Sequence, residues 1–265
     1  MCPLWGSEHL ELERFLHHVK ADGYDGVDMW VPESQKERSH LLQLLEKYDL
    51  KIVSHQHQAT GSNIHEFCRS FDYYLNISAE VNPLTINSHS GKDYFCLDDQ
   101  LQVLDTAKDF ESQTGYTVAH ETHRGRMLFC PGAAQNLFDL RPDFQITADF
   151  SHWVCVTESY LENFAPVLQE AINRTTHIHA RVGFPEGPQV PDPRLNQYAE
   201  PLTYFSKLWK AIIKKKIDQG AQMITVTPEF GPPPYMWTRL DNNEAVASQW
   251  DINLFIQQLI KGLKL

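Results

Sequence analysis

Cysteine is scarce and unpatterned in this chain of 265 residues: Cys2, Cys68, Cys96, Cys130 and Cys155 form no CxxC pair. An odd, scattered set argues against a disulfide framework and predicts reduced thiols in a cytoplasmic setting. No stretch approaches the ~18 apolar residues of a membrane span. The opening MCPLWGSEHLELE lacks the basic and apolar regions of a signal peptide. Neither GxGxxG nor a P-loop pattern occurs, so a nucleotide-binding doubly wound sheet is not signalled. Positive charge is short as well: 23 Lys and Arg stand against 34 Asp and Glu, a net charge of −11. Such a surface repels phosphate backbones and anionic lipid, which argues against nucleic-acid and membrane partners.

What is present is a globular composition, 42% hydrophobic and 11% aromatic, on a chain long enough to bury ~75% of its unfolded surface. Short β-branched runs alternate with longer amphipathic stretches. Strands are expected at 1–5, 26–31, 51–56, 84–89, 117–123, 145–151, 176–182 and 223–230. Helical patterns cover 8–21, 35–48, 64–80, 97–113, 133–140, 159–172, 204–217 and 243–263. Alternation on this scale predicts a parallel sheet with helical crossovers. Eight such units predict a (β/α)8 TIM barrel, α/β in class, as a single domain over 1–265. An open doubly wound sheet is the alternative. Only five residues precede Gly6, so the first strand is short or starts outside this chain. The Pro-rich 184–193 reads as a long loop after the seventh strand.

The chemistry comes from parity, because successive strand side chains point to opposite faces. Ile224 and Val226 should face the helices, leaving Thr225, Thr227 and Glu229 toward the barrel axis. The same rule turns His55, His57, Asn87, His89, Glu121, His123, Asp149, Ser151, His177, His179 and Arg181 inward. A purely structural barrel fills that face with Val, Ile and Leu. Any one of these residues alone is more simply a loop-edge or hydrogen-bonded core residue. Together, Glu121, Asp149 and Glu229 cannot converge unpaired, since buried like charges must take up protons or surround a cation. Three carboxylates and an imidazole form a hard O/N donor set suited to one divalent ion: Mn, Mg, Co or Zn.

The segments HETHRGR (120–126), ITADFSHW (146–153), HIHAR (177–181) and TPEFGPPPY (227–235) resemble the xylose-isomerase-like TIM barrels, the superfamily of sugar and sugar-phosphate isomerases and epimerases to which endonuclease IV is related. The resemblance implies that Glu121, Asp149, His179 and Glu229 hold the metal. His179 is preferred to His177 because it lies one inward step nearer the mouth. It implies a substrate-contacting role for His152. The family's seventh-loop Arg is displaced here, which leaves Arg181 only two residues after the His. A homo-oligomer is compatible with it.

The implied activity is proton abstraction next to a carbonyl through a metal-stabilised enediolate, with Glu121 and Glu229 as the catalytic pair. His55 and His89 are candidates for sugar hydroxyls. Trp5, Trp30 and Trp153 are candidates for stacking on a sugar face. Arg124, Arg126 and Arg181 are candidates for a substrate phosphate or carboxylate, with Arg126 rather a partner for the acidic surface. Tyr235 and Trp237 are expected near the mouth. The other readings are an endonuclease-IV-like phosphodiesterase, with extra ligands from His55, His89, His152 and His177, and a non-catalytic carbohydrate-binding barrel.

Overall fold

The computed structural model describes residues 1–264. Among the described residues, eight strands alternate with nine helices: β1 (Cys2–Pro3), α1 (Leu12–Ala21), β2 (Gly26–Met29), α2 (Gln35–Lys47), β3 (Lys51–Gln56), α3 (Ile64–Ala79), β4 (Ile86–Ser88), α4 (Leu97–Thr114), β5 (Val118–Glu121), α5 (Pro131–Leu140), β6 (Gln145–Ala148), α6 (Phe150–Val156), α7 (Ala165–Arg174), β7 (Thr175–Ala180), α8 (Ala199–Asp218), β8 (Thr225–Pro228) and α9 (Gln249–Lys261). All strand pairs are parallel, in the order β1 to β8. The ends of the sheet meet where the Met1 nitrogen donates to the Val226 carbonyl at 2.5 Å. The result is the expected (β/α)8 barrel.

Local chemistry sets the element ends. Asn63 caps α3, its side chain accepting from the Glu66 amide at 3.0 Å, and so satisfies a backbone donor that the first turn leaves open. Pro131 opens α5, where its missing N–H costs nothing. Gly115 closes α4 at φ +77°, the left-handed conformation that glycine adopts without penalty. The helices bury their apolar stripes against the outward strand residues. Phe67, Phe71 and Leu75 of α3 pack in one cluster with Ile86, Val118, Ile146 and Ile178. Each such side chain contributes about 1.5–3 kcal/mol by leaving water.

The expected elements shift in a few places. Strand β1 has two residues. Helix α1 starts at Leu12 instead of residue 8 because the Ser7 and Leu10 amides close turns on Leu4 and Ser7. Leu161, at φ +64°, and a 3-10 turn over Glu162–Phe164 delay α7 to Ala165. The largest correction is at the sixth strand. It ends at Ala148 rather than at 151, because Asp149 caps a helix that sequence periodicity did not reveal, α6. At seven residues it is too short for a clear 3.6-residue period. Trp153 therefore lies on α6, fully buried, its indole donating to the Leu128 carbonyl at 2.8 Å. Its position inside the core corrects the expectation that it could stack on a sugar.

Candidate functional site

The last residue of β5, the residues just past β6 and β8, and the fifth residue of β7 are Glu121, Asp149, Glu229 and His179. All four are buried, and one donor atom from each lies within 4.8 Å of the other three. His179 Nδ1 is 2.8 Å from Glu229 Oε2 and 3.3 Å from Glu121 Oε1. Arg181 enters the same cluster. Its Nε donates to Asp149 Oδ2 at 3.0 Å, Nη2 to Glu229 Oε2 at 2.5 Å, and Nη1 to Gln189 Oε1 at 3.2 Å. Asn87 Nδ2 donates to Glu121 Oε2 at 3.0 Å, and His89 Nε2 stands 2.9 Å from the same oxygen.

Proton affinities follow from burial set against these partners. Burial would lower His179, but Glu229 and Glu121 outweigh it and hold the imidazole well above its ordinary value. Burial would raise Glu121, but His179 and His89 hold it well below the usual carboxylate range. Glu229 is lowered too, His179 and Arg181 overcoming burial. Asp149 goes the other way. Burial lifts it to about 6 despite Arg181, and Glu229 and Glu121 add to the rise.

Sequence reasoning missed Asp28. Its Oδ2 accepts from His179 Nε2 at 3.0 Å, from His177 Nε2 at 3.1 Å and from Thr227 Oγ1 at 2.8 Å. It thereby fixes which nitrogen of His179 faces the cluster, as a carboxylate behind a metal-ligating His does. Parity could have found it: in GVDMW, Val27 and Met29 face the helices and Asp28 faces the axis. Gln189 was missed as well, because the Pro-rich 184–193 read as a plain loop. Its Oε1 also accepts from the Gly231 amide at 2.7 Å, which ties that loop to the end of β8.

Above the cluster lies a cavity of about 310 Å³. Trp5, Trp30 and Tyr235 form an aromatic wall, and His55, His57, His89 and His123 face them. Glu121, Glu229 and Arg181 reach it from the cluster, and Arg126 lines it. Trp5 meets Tyr235 edge-on with ring centres 5.2 Å apart, and the Arg181 guanidinium sits 5.4 Å from the Trp5 ring centre. His152 is fully buried behind this wall, its ring 4.0 Å from that of His123 and its Nε2 3.5 Å from Asp149 Oδ2. Trp237 is exposed and Arg124 lies over Tyr235. A cavity of about 340 Å³ at the other end of the barrel, beside Tyr24, Leu84 and Ile224, holds none of the clusters of potential metal ligands found among the described residues.

The cluster fits a divalent cation. His179 Nδ1 is buried 2.8 Å from Glu229 Oε2 and 3.3 Å from Glu121 Oε1, without an aligned hydrogen bond to either. Donors held ~2.1 Å from an ion stand roughly 3–4 Å apart, within the spread seen here. Glu121, Asp149, His179 and Glu229 would hold the ion, with Arg181 behind Asp149 and Glu229.

No protein-family model and no curated protein matches the chain. Solved structures do. A probable 3-DHS dehydratase, AsbF, involved in petrobactin synthesis from Bacillus anthracis is similar over 99% of this chain and 98% of its own, at 14% identity and a TM-score of 0.64. The 3-keto-D-glucoside 4-epimerase YcjR from E. coli is similar over 95% and 94%, at 13% identity and a TM-score of 0.60. A D-psicose 3-epimerase solved in the presence of D-fructose covers 87% of this chain with 86% of its own, at 11% identity and a TM-score of 0.56. At these identities what is shared is the fold, the barrel that the four motifs pointed to.

Proposed function

We propose that the protein is a divalent-metal-dependent isomerase or epimerase of a small sugar or sugar derivative, acting by proton abstraction next to a carbonyl. One observation carries this reading: three carboxylates and one imidazole from four strands converge within 4.8 Å at the floor of a small aromatic-walled cavity. A divalent ion bound there supplies Lewis-acid stabilisation of the negative charge that develops on a carbonyl oxygen. The chain supplies the rest. Glu121 is kept ionised, with Asn87 and His89 steadying one oxygen, so that it can accept a carbon-bound proton. Glu229, held by Arg181, approaches from another strand and can return a proton from a different direction. Asp28 keeps the His179 ring in one orientation. The Trp5, Trp30 and Tyr235 wall excludes water and offers flat faces to C–H surfaces.

The test is deuterium wash-in. The metal-loaded protein is incubated in deuterated water with ketoses, ketose phosphates and sugar acids. Label at the carbon next to the carbonyl supports the reading, and its absence with every substrate overturns it. A second reading, a metal-dependent phosphodiesterase, draws on the donor group His55, His89 and Glu121, which also meets within 4.8 Å. More than one bound ion per chain would favour it, whereas the net charge of −11 speaks against a nucleic-acid substrate.

A further inference from the structure

We infer that the cavity takes an anionic ligand, a small polyol bearing a carboxylate or a phosphate ester, whose charged group is held by Arg126. The inference deepens the isomerase reading by naming its substrate class.

The argument begins with the arginines. Arg38 pairs with Glu80, Arg141 with Asp105, Arg174 with Glu170, and Arg181 with Asp149 and Glu229. Arg14, Arg69 and Arg124 have no carboxylate partner, but they stand exposed in water. Arg126 alone is partly withdrawn from water without an acceptor among the described residues, and its Nη1 is buried with no hydrogen-bond partner. A guanidinium brings five donors in a planar fork and no acceptor. Placing it against a cavity with its donors unused is costly, unless something that enters the cavity supplies the oxygens.

The backbone builds this arrangement. The Arg126 amide closes a turn on the His123 carbonyl at 3.1 Å, and Gly125 provides the φ of +76° that the turn needs. The next amide, Met127, donates to the Ser90 carbonyl at 3.2 Å. That bond stitches the loop after β5 to the loop after β4, which carries Lys92. Lys92 has no ion pair among the described residues either, and it lies close enough to Arg126 for the like charges to depress its proton affinity, after burial. Asp93 and Tyr94 are the other titratable groups of that loop near Arg126, and Glu121 faces it from the cavity floor. None of them accepts a hydrogen bond from the guanidinium. A guanidinium left unpaired at the cavity of a chain of net charge −11 matches a bidentate carboxylate or phosphate. Arg181 is already committed, paired with Asp149 and Glu229 and hydrogen-bonded to Gln189.

The experiment is calorimetric titration of the metal-loaded full chain with D-fructose, D-fructose 6-phosphate, D-gluconate and inorganic phosphate. The inference expects at least one sugar anion to bind more tightly than D-fructose. It expects Arg126→Gln to cut that preference roughly 10- to 100-fold. Arg126→Lys should keep part of it, and Arg69→Gln, a remote loss of the same charge, should leave it alone. Fructose 6-phosphate and inorganic phosphate bound more tightly than gluconate would identify a phosphate ester, and the reverse order a carboxylate. Equal binding of fructose and both sugar anions, no binding of either anion, or an equal loss in Arg69→Gln would overturn the inference. Melting curves confirm that the variants fold. If no sugar exchanges deuterium, the isomerase reading fails, while an anion preference that depends on Arg126 still stands. If fructose exchanges as fast as the sugar anions, the anion inference alone fails.

Discussion

Strand β7 presents two regions of the molecule on alternate residues. Ile178 and Ala180 face the helices, and His177, His179 and Arg181 face the axis; all five are almost completely buried. Burial is equal, but its physics is opposite. On the helix side, removing apolar surface from water stabilises the fold. On the axis, burial opposes every charge, and polar partners offset it to different degrees: hydrogen bonds from His177 and His179 hold Asp28 well below the carboxylate range, His179 and Arg181 lower Glu229, and Arg181 does not cancel the rise of Asp149. Such networks seldom improve on an apolar core of the same volume. A barrel that keeps one at the C-terminal end of its strands is retaining chemistry at the expense of stability.

Substitutions on either side should separate these two kinds of burial. The largest expected effect is on the axis. Glu121→Gln or Glu229→Gln should lower turnover by about 10²- to 10⁴-fold, the range for loss of a general acid or base, while the melting temperature stays within a few degrees. Full activity in either variant would sink the catalytic pair. Next in size is the helix side. Phe71→Ala should cost about 3–5 kcal/mol, read by urea unfolding, while deuterium exchange per folded molecule is kept. If stability held and exchange fell instead, the division between the two regions would be wrong.

Asp28→Asn comes third. It removes the carboxylate behind His179 and should weaken the bound ion by roughly 10- to 100-fold, the usual cost of losing such a partner. Metal titration followed at the imidazole by NMR distinguishes a positioning role from a structural one. In a positioning role the Nδ1 and Nε2 forms of His179 mix in the variant. A purely structural role leaves the ring in one form.

The sequence made most of the fold legible because its signals are local and repeated. Alternating periods of 2 and 3.6 mark seven strands clearly, and parity alone turns Glu121, Asp149, His179 and Glu229 to one face. What stayed hidden was non-local or short. Asp28 sits in a strand of four residues, and its significance appears only when His177, His179 and Thr227, about 150 to 200 residues onward, fold against it. Helix α6 is too brief for periodicity. Arg181 and Arg126 are alike in sequence, both following a histidine-rich strand end. Only the carboxylates each one meets tell them apart.

The smallest expected effect is a pH dependence that differs with and without metal. Neutral imidazoles act first: burial lowers His123 from 6.5 to about 4 and His120 to about 3, and it lowers His89, His152 and His177 as well. Between those values and 6.5 the unfolded chain binds more protons, so stability rises with pH. Asp149, raised from 3.8 to about 6, works against this, since the folded state holds its proton longer and stability falls as pH passes from 3.8 to 6. Five lowered imidazoles against Asp149 leave a net rise up to about 6.5. Above 6.5 the sign changes. His179 is raised well above its ordinary value, so the stability its proton confers is complete below 6.5 and is lost as pH climbs through the folded value. An ion at Nδ1 needs that nitrogen unprotonated, and binding therefore displaces the proton. The metal-free protein should accordingly lose melting temperature above neutral pH, the metal-loaded protein should not, and metal affinity should rise over the same interval. Parallel melting curves for the two forms from pH 6.5 to 9 would show that His179 does not face the ion.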